Sequence, residues 1–170
     1  MRRADASVAV VKRSAPITTV AGERVDLGLV GAPVAASKPD LLRTLLQSGY
    51  VPVIACVGAT KGGDLLNVNA DTLASHLAGA LGATRLVIAG GTSGVLDETG
   101  KTIAHLTARA AQRLIREGVA NKGMVAKLEA CRSALRRGVG DVIIANGRRT
   151  PLGSLATAKA PGGTATQVVP

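Results

Sequence analysis

Asn67, Asn69 and Asp71 stand at alternate positions behind the glycine pair Gly62-Gly63, in the run GATKGGDLLNVNAD at 58–71. Amide side chains both donate and accept hydrogen bonds and a carboxylate accepts them, so this trio suits a polar, anionic small molecule. The pattern NADTLASHLAGAL (69–81) follows, with Leu73, Leu77, Ala80 and Leu81 on one helical face. A helix amino terminus at that place offers free N–H groups and a favourable dipole to a phosphate. A purely local reading competes with this one: Asn and Asp are common helix caps and turn formers, and Asn69 or Asp71 suits the cap of this helix.

Other reactive side chains are less organised. Lys127 lies in the amphipathic run MVAKLEACRSALRR (124–137), where a solvated lysine is the ordinary expectation. His76 and His105 are far apart and lack acidic partners at ligand spacing, so no metal site is expected. Cys56 and Cys131 show no CxxC spacing and read as buried thiols. Neither Ser93 nor Ser133 sits in a nucleophile motif.

The elements that must position these residues alternate. Asp40 to Gln47 has leucines at helical spacing and is closed by Gly49. The unbroken apolar run Tyr50 to Val57 predicts a strand covered on both faces in a parallel sheet. Arg85 to Ala89 predicts a second buried strand, followed by the loop Gly90-Gly91-Thr92-Ser93-Gly94. Helices are expected over Thr107 to Glu117 and Met124 to Arg137, then strands at Asp141 to Ala145 and Thr164 to Val169, with Asn146-Gly147 turning the chain between them. Strand, loop, helix and strand in this order belong to α/β folds.

Composition narrows the function classes. At 170 residues, with 46% hydrophobic and 19% charged residues, the chain is long enough for a real core and too apolar for disorder. No apolar run approaches the roughly 20 residues of a membrane span. The basic opening MRRADASVAVVKRSAP lacks the apolar stretch of a secretory signal, so a cytoplasmic location is the expectation. The formal charge of +10 predicts anionic partners. Spread over residues such as Arg113, Arg116, Arg136, Arg137, Arg148 and Arg149, it reads mainly as solvated faces. Tyr50 is the only aromatic residue, which weighs against a nucleic-acid binder that stacks bases on aromatic platforms.

Three ordered stretches, VDLGLVG (25–31), the run from Val51 to Asp71, and GVANKGMVAKLEACRSAL (118–135), together resemble successive motifs of the acetylglutamate kinases, within the amino acid kinase family. The resemblance runs from about Val25 to the end. It implies a three-layer α/β/α sandwich with a mainly parallel sheet, formed by residues 25–170, with 1–24 an arm or strand remnant. It also implies ATP-dependent phosphorylation of the γ-carboxylate of N-acetylglutamate to an acyl phosphate in arginine biosynthesis. N-acetylglutamate and ATP with Mg²⁺ would be the small-molecule partners, with no tightly bound cofactor and a homo-oligomeric state.

Residue by residue, the resemblance places Asn67, with Asn69, on the acetylamino acid. Asp71 orients the lysines of the site and Lys127 stabilises the transferring phosphoryl group. Gly91, Thr92, Ser93 and Gly94, with Val119, Ala120 and Asn121, fall on nucleotide-contacting segments. Two departures stand out. Gly91 occupies a position where the family usually has an acidic residue. The family's early lysine, glycine-pair loop and substrate arginine have no match in residues 1–24, where Lys12 follows an apolar run without a glycine-rich loop after it. The chain is therefore expected to be incomplete at its amino terminus. A catalytically impaired nucleotide-binding or regulatory relative is the alternative reading.

Overall fold

The structure, a computed structural model, describes residues 8–19, 21–35, 37–120, 122–157 and 164–170. The chain divides into two compact units, Met1–Leu73 and Ala74–Pro170.

In the first unit β1 (Val11–Arg13), β2 (Ile17–Thr18), β3 (Arg24–Val25) and β4 (Val30–Pro33) precede helix α1 (Asp40–Gln47), and β5 (Val57–Ala59) and β6 (Leu65–Val68) follow it. The main sheet has the order β1-β4-β6-β5, with β4 and β6 parallel and the outer pairs antiparallel. Strands β2 and β3 form a separate antiparallel pair. Val11, Leu66 and Val68 are buried, and a β-carbon at Gly58 would overlap Val11, so the strands meet closely. Ser37 is buried where its hydroxyl accepts from Val10 N (3.1 Å) and donates to Val34 O (3.1 Å). Helix α1 has the predicted bounds and ends where Gly49 N and Tyr50 N bond back to Leu46 O and Leu45 O.

One expectation fails in this unit. Residues 50–56 form no strand, and Val51 and Val53 are 86% and 97% exposed. The sheet is completed by β4, β6 and β5, and this run joins none of its ladders. Pro52 lacks the N–H a ladder would use. Strand β6 follows β5 through a turn at Gly62-Gly63, with Gly63 N donating to Thr60 O (3.0 Å).

Helix α2 (Ala70–Leu81) spans the division between the units. The second unit then contains β7 (Arg85–Gly90), β8 (His105–Thr107), α3 (Ala108–Arg116), α4 (Lys122–Arg136), β9 (Asp141–Asn146), α5 (Leu152–Thr157) and β10 (Ala165–Val169). Its sheet has the order β7-β9-β10-β8, in which β7 and β9 are parallel, β9 and β10 antiparallel, and β10 and β8 parallel. The α/β class holds, with both sheets mixing parallel and antiparallel pairs.

Strand β9 is the spine. Val142, Ile143, Ile144 and Ala145 are each 0% exposed, and the alternation of a strand sends them into two clusters. Val142 and Ile144 join Leu128, Cys131 and Ala134 of α4, while Ile143 and Ala145 join Leu155 of α5 and Ala165. Each such aliphatic side chain contributes about 1.5–3 kcal/mol on burial. With no aromatic ring available, small side chains let α4 pack closely on the sheet. Helix α3 starts at Thr107, whose hydroxyl accepts from Ala110 N (3.1 Å).

Candidate functional site

The carboxyl ends of β7 and β9 lie side by side, with Gly90 opposite Asn146 in the parallel register. Asn146 is 8% exposed and both of its side-chain polar atoms are employed. Its Nδ2 donates to Gly91 O (3.0 Å) and its Oδ1 accepts from Arg148 N (3.0 Å). Its carbonyl accepts from Arg149 N (3.1 Å) and Thr150 N (2.9 Å), and Gly147 N donates to Gly90 O (3.0 Å). One buried amide thus joins the two strand ends and folds the turn that carries both arginines.

Between these ends lies a cavity of about 560 Å³ lined by Gly90, Gly91, Asn146, Arg148 and Arg149. Lys127 of α4 lies against Gly90, one of the lining residues. A β-carbon at Gly90 would lie 3.1 Å from Lys127 Cε and 3.7 Å from Nζ, so the half-buried lysine crosses the end of β7 because Gly90 has no side chain. Neither arginine has an ion-pair partner among the described residues. The lining contains no carboxylate. This arrangement attracts anions, and it sits beyond the carboxyl ends of parallel strands, where open α/β sheets bind ligands.

The sequence-expected nucleotide residues separate in the structure. Gly91 lines the cavity. Gly94 is buried with φ +102, and its α-carbon faces Thr166, whose Oγ1 accepts from Val95 N (2.8 Å) and donates to Ile103 O (2.7 Å). Thr92 is exposed and Ser93 half-buried, and neither lines the cavity. Val119 and Ala120 close the end of α3, with both amides directed to Leu114 O and Ala120 packed against the core. Asn121 lies outside the described residues.

In the first unit Asn67 sits exposed on β6, opposite Val30 in the parallel pair and Val57 in the antiparallel one. Asn69 caps α2: its Oδ1 accepts from Thr72 N (3.0 Å) and Thr72 Oγ1 (3.2 Å). Asp71 is half-buried in the first turn of that helix. The local reading of Asn69 is therefore realised in the fold, which leaves its amide Nδ2 as the group that can face a ligand.

At the other end of β7 and β9, Arg85 Nε and Nη2 donate to Asp141 Oδ1 (2.7 Å) and Oδ2 (2.6 Å). Arg85 Nη1 donates to Leu155 O (3.0 Å), and Gln167 Nε2 donates to Asp141 Oδ2 (2.6 Å). The Arg85 hydrogen bonds, with Gln167, hold the Asp141 carboxyl below its ordinary range despite burial, and Arg85 is raised by the same contact. His76 on α2 is buried with Nδ1 unpartnered, and burial, with the charge of Arg137, lowers its pKa.

Sequence reasoning assigned Arg148 and Arg149 to solvated faces and gave Asn146, with Gly147, only the turn that the structure shows there. The usable signal was positional, since both arginines follow a buried strand at its carboxyl end, as Gly91 does. Among the described residues no group of three or more His, Cys, Asp or Glu could hold a metal ion. The cavity offers N–H donors rather than oxygen ligands, so its own residues do not fit Mg²⁺.

Known proteins of the same kind bear on this geometry. Residues 9–146 match the family model described as the amino acid kinase family. The chain is 44% identical over 146 residues to the acetylglutamate kinase of Brucella abortus, covering 86% of this chain and 49% of that protein. It is 45% identical over 124 residues to the acetylglutamate kinase of Gluconacetobacter diazotrophicus, covering 73% of this chain and 39% of that protein. The chain thus spans about half the length, or less, of these curated relatives. In fold it is similar to N-acetylglutamate synthase from Neisseria gonorrhoeae, with a TM-score of 0.77 at 24% identity over 96% of this chain and 36% of that one. It is also similar to carbamate kinase from Giardia lamblia, with a TM-score of 0.61 at 16% identity over 95% of this chain and 52% of that one. With the family model matched across both units and these folds alike, the chain belongs to the amino acid kinase family.

Proposed function

We propose that the chain catalyses ATP-dependent phosphorylation of the γ-carboxylate of N-acetylglutamate, giving an acyl phosphate for arginine biosynthesis in the cytoplasm. The observation that carries this reading is Lys127 crossing Gly90 beside a cavity whose charged lining is wholly cationic. Phosphoryl transfer between two oxygens depends on positioning and charge neutralisation rather than on a protein nucleophile. Lys127 supplies positive charge for the transferring group. Asn67 and the Nδ2 of Asn69 bind the acetylated amino acid by hydrogen bonds, and Asp71 supplies the carboxylate beside them. Gly91 presents backbone to the nucleotide. Mg²⁺ accompanies ATP as part of the co-substrate.

The test is ADP release by the folded chain with N-acetylglutamate and, separately, with glutamate. Turnover with the acetylated substrate and none with glutamate supports the reading. ATP binding with no ADP release from a cooperatively folded preparation overturns catalysis and leaves a nucleotide-binding relative.

A further inference from the structure

We propose that residues 51–55 are a self-association strand, through which two copies of this chain pair antiparallel about a two-fold axis at Val53. The pairing involves the first unit alone and is independent of turnover.

The run has the composition of a strand, and the fold leaves it unpaired. Val and Ile suit a pleated, half-buried surface. Yet the N–H groups of Val51, Val53 and Ala55 have no hydrogen-bond partner among the described residues, and the first two side chains are 86% and 97% exposed. Free backbone groups on an exposed apolar run are a template for another strand. Tyr50 and Leu65 of the same unit are exposed too, whereas among the described residues of the second unit the exposed large apolar side chains are Leu96 and Val119.

Pro52 selects the edge. In an antiparallel pair, residues that exchange two N–H···O=C bonds alternate with residues that exchange none. Pro52 has no N–H to give, so it falls with Ile54 in the non-bonding set. Val51, Val53 and Ala55 are then the bonding set. An axis at Val53 pairs it with the partner's Val53, and pairs Val51 with the partner's Ala55. The Ala55 carbonyl, which accepts from Val57 N (2.8 Å), keeps a second lone pair for that bond. On the opposite edge Pro52 withholds a donor, so a third strand meets an interrupted ladder and the assembly closes at two.

The charge pattern favours a second copy as the occupant. At a formal +10, two copies repel over most of their surfaces. Residues 44–60 hold no charged side chain, the longest such run in the sequence, and 51–55 lie near its middle. Copies meet there with the least like-charge contact. The lysines that commonly guard an exposed edge are missing from this run.

The experiment is sedimentation equilibrium of the whole chain at physiological salt, with amide hydrogen exchange read over residues 50–57, alone and after mixing with the intact acetylglutamate kinase of Brucella abortus. The mean mass is expected to rise from one chain towards two between about 1 and 200 μM, the range of a small interface. Exchange at Val51, Val53 and Ala55 should slow over the same range. Val53→Lys sets two ammonium groups side by side at the axis and should weaken pairing about tenfold or more. Val53→Pro removes an exchanged N–H and should weaken it as much, while Ile54→Pro removes one from the non-bonding set and should stay within about threefold of wild type. None of these N–H groups is hydrogen-bonded among the described residues, and matching thermal melts establish that each variant is folded.

A chain that stays monomeric through this range overturns the proposal. So does a dimer that Val53→Lys leaves intact, because the copies then meet elsewhere. Equal losses in the two proline variants reduce the contact to apolar adhesion and remove the strand pair, and masses that grow beyond two chains remove its closure. Exchange that slows only with the Brucella enzyme present assigns the run to a different partner and overturns self-pairing.

Discussion

The two ends of the β7–β9 strand pair carry the same kind of charge in opposite conditions. At the amino end Arg85 is spent on Asp141 and on Leu155 O, and Gln167 fills the remaining demand of the carboxylate. At the carboxyl end Arg148 and Arg149 line a cavity with no carboxylate in its lining, and Lys127 lies against Gly90. An ion pair whose side chains are 18% and 14% exposed is a fastener, since each charge removed from water is answered inside the protein. Arg148 and Arg149 have no ion-pair partner among the described residues. The parallel strands make the difference possible, because they bring like ends together and so separate structural charge from functional charge.

The comparison breaks most sharply at Lys127. Lys127→Ala is expected to lower kcat by about 10²–10³, the scale of losing one preorganised charge donor in the transition state. Its thermal melt should stay close to wild type, because the lysine end crosses a glycine at the cavity rather than packing in the core. A comparable loss of stability would move this residue to the fastener class.

Asp141→Ala tests the other end. Leaving Arg85 partly buried and unpaired should cost about 2–4 kcal/mol, read as a lower urea midpoint. The pH dependence has a definite sign. The folded-state pKa of Asp141 lies below its unfolded value, so the pair's stabilisation is complete above the unfolded value of about 3.9 and is lost as pH falls towards the folded one. Asp141→Asn should flatten that acid limb of the stability profile, while Arg148→Ala should leave its slope unchanged.

The elements were easier to read in the sequence than the side-chain contacts at either end of β7 and β9. Helix α1 has its predicted bounds, and β9 and β10 lie within a residue of theirs, because long aliphatic periodicity decides both element and face. Val51 and Val53 show the limit: an apolar run predicts burial, but only the structure shows that this one stays outside the ladders and exposed. At the site, Lys127 and Gly91 were legible through family motifs. Arg148 and Arg149 were not, since their position after a buried strand is a weaker signal than a motif. Their meaning comes from Asn146, whose side chain ties them to a strand more than fifty residues earlier.

The smallest expected effects sharpen the comparison within a single loop. Gly94 has φ +102, and an added β-carbon would lie 2.7 Å from Thr166 N, against backbone that cannot yield. Gly94→Ala should therefore cost about 2 kcal/mol of stability, marking a structural glycine. Gly90 meets instead the far end of Lys127, 3.1 Å from Cε, and lacks a left-handed φ. Gly90→Ala should leave stability within about 1 kcal/mol of wild type, since alanine restricts the unfolded chain without straining this backbone. It should nevertheless lower kcat about threefold to tenfold, because a displaced ammonium is a misplaced catalytic charge. A thermal melt with an ADP-release assay on the same two variants separates these outcomes. If Gly90→Ala destabilises and leaves kcat untouched, Lys127 crosses that strand end only to pack there.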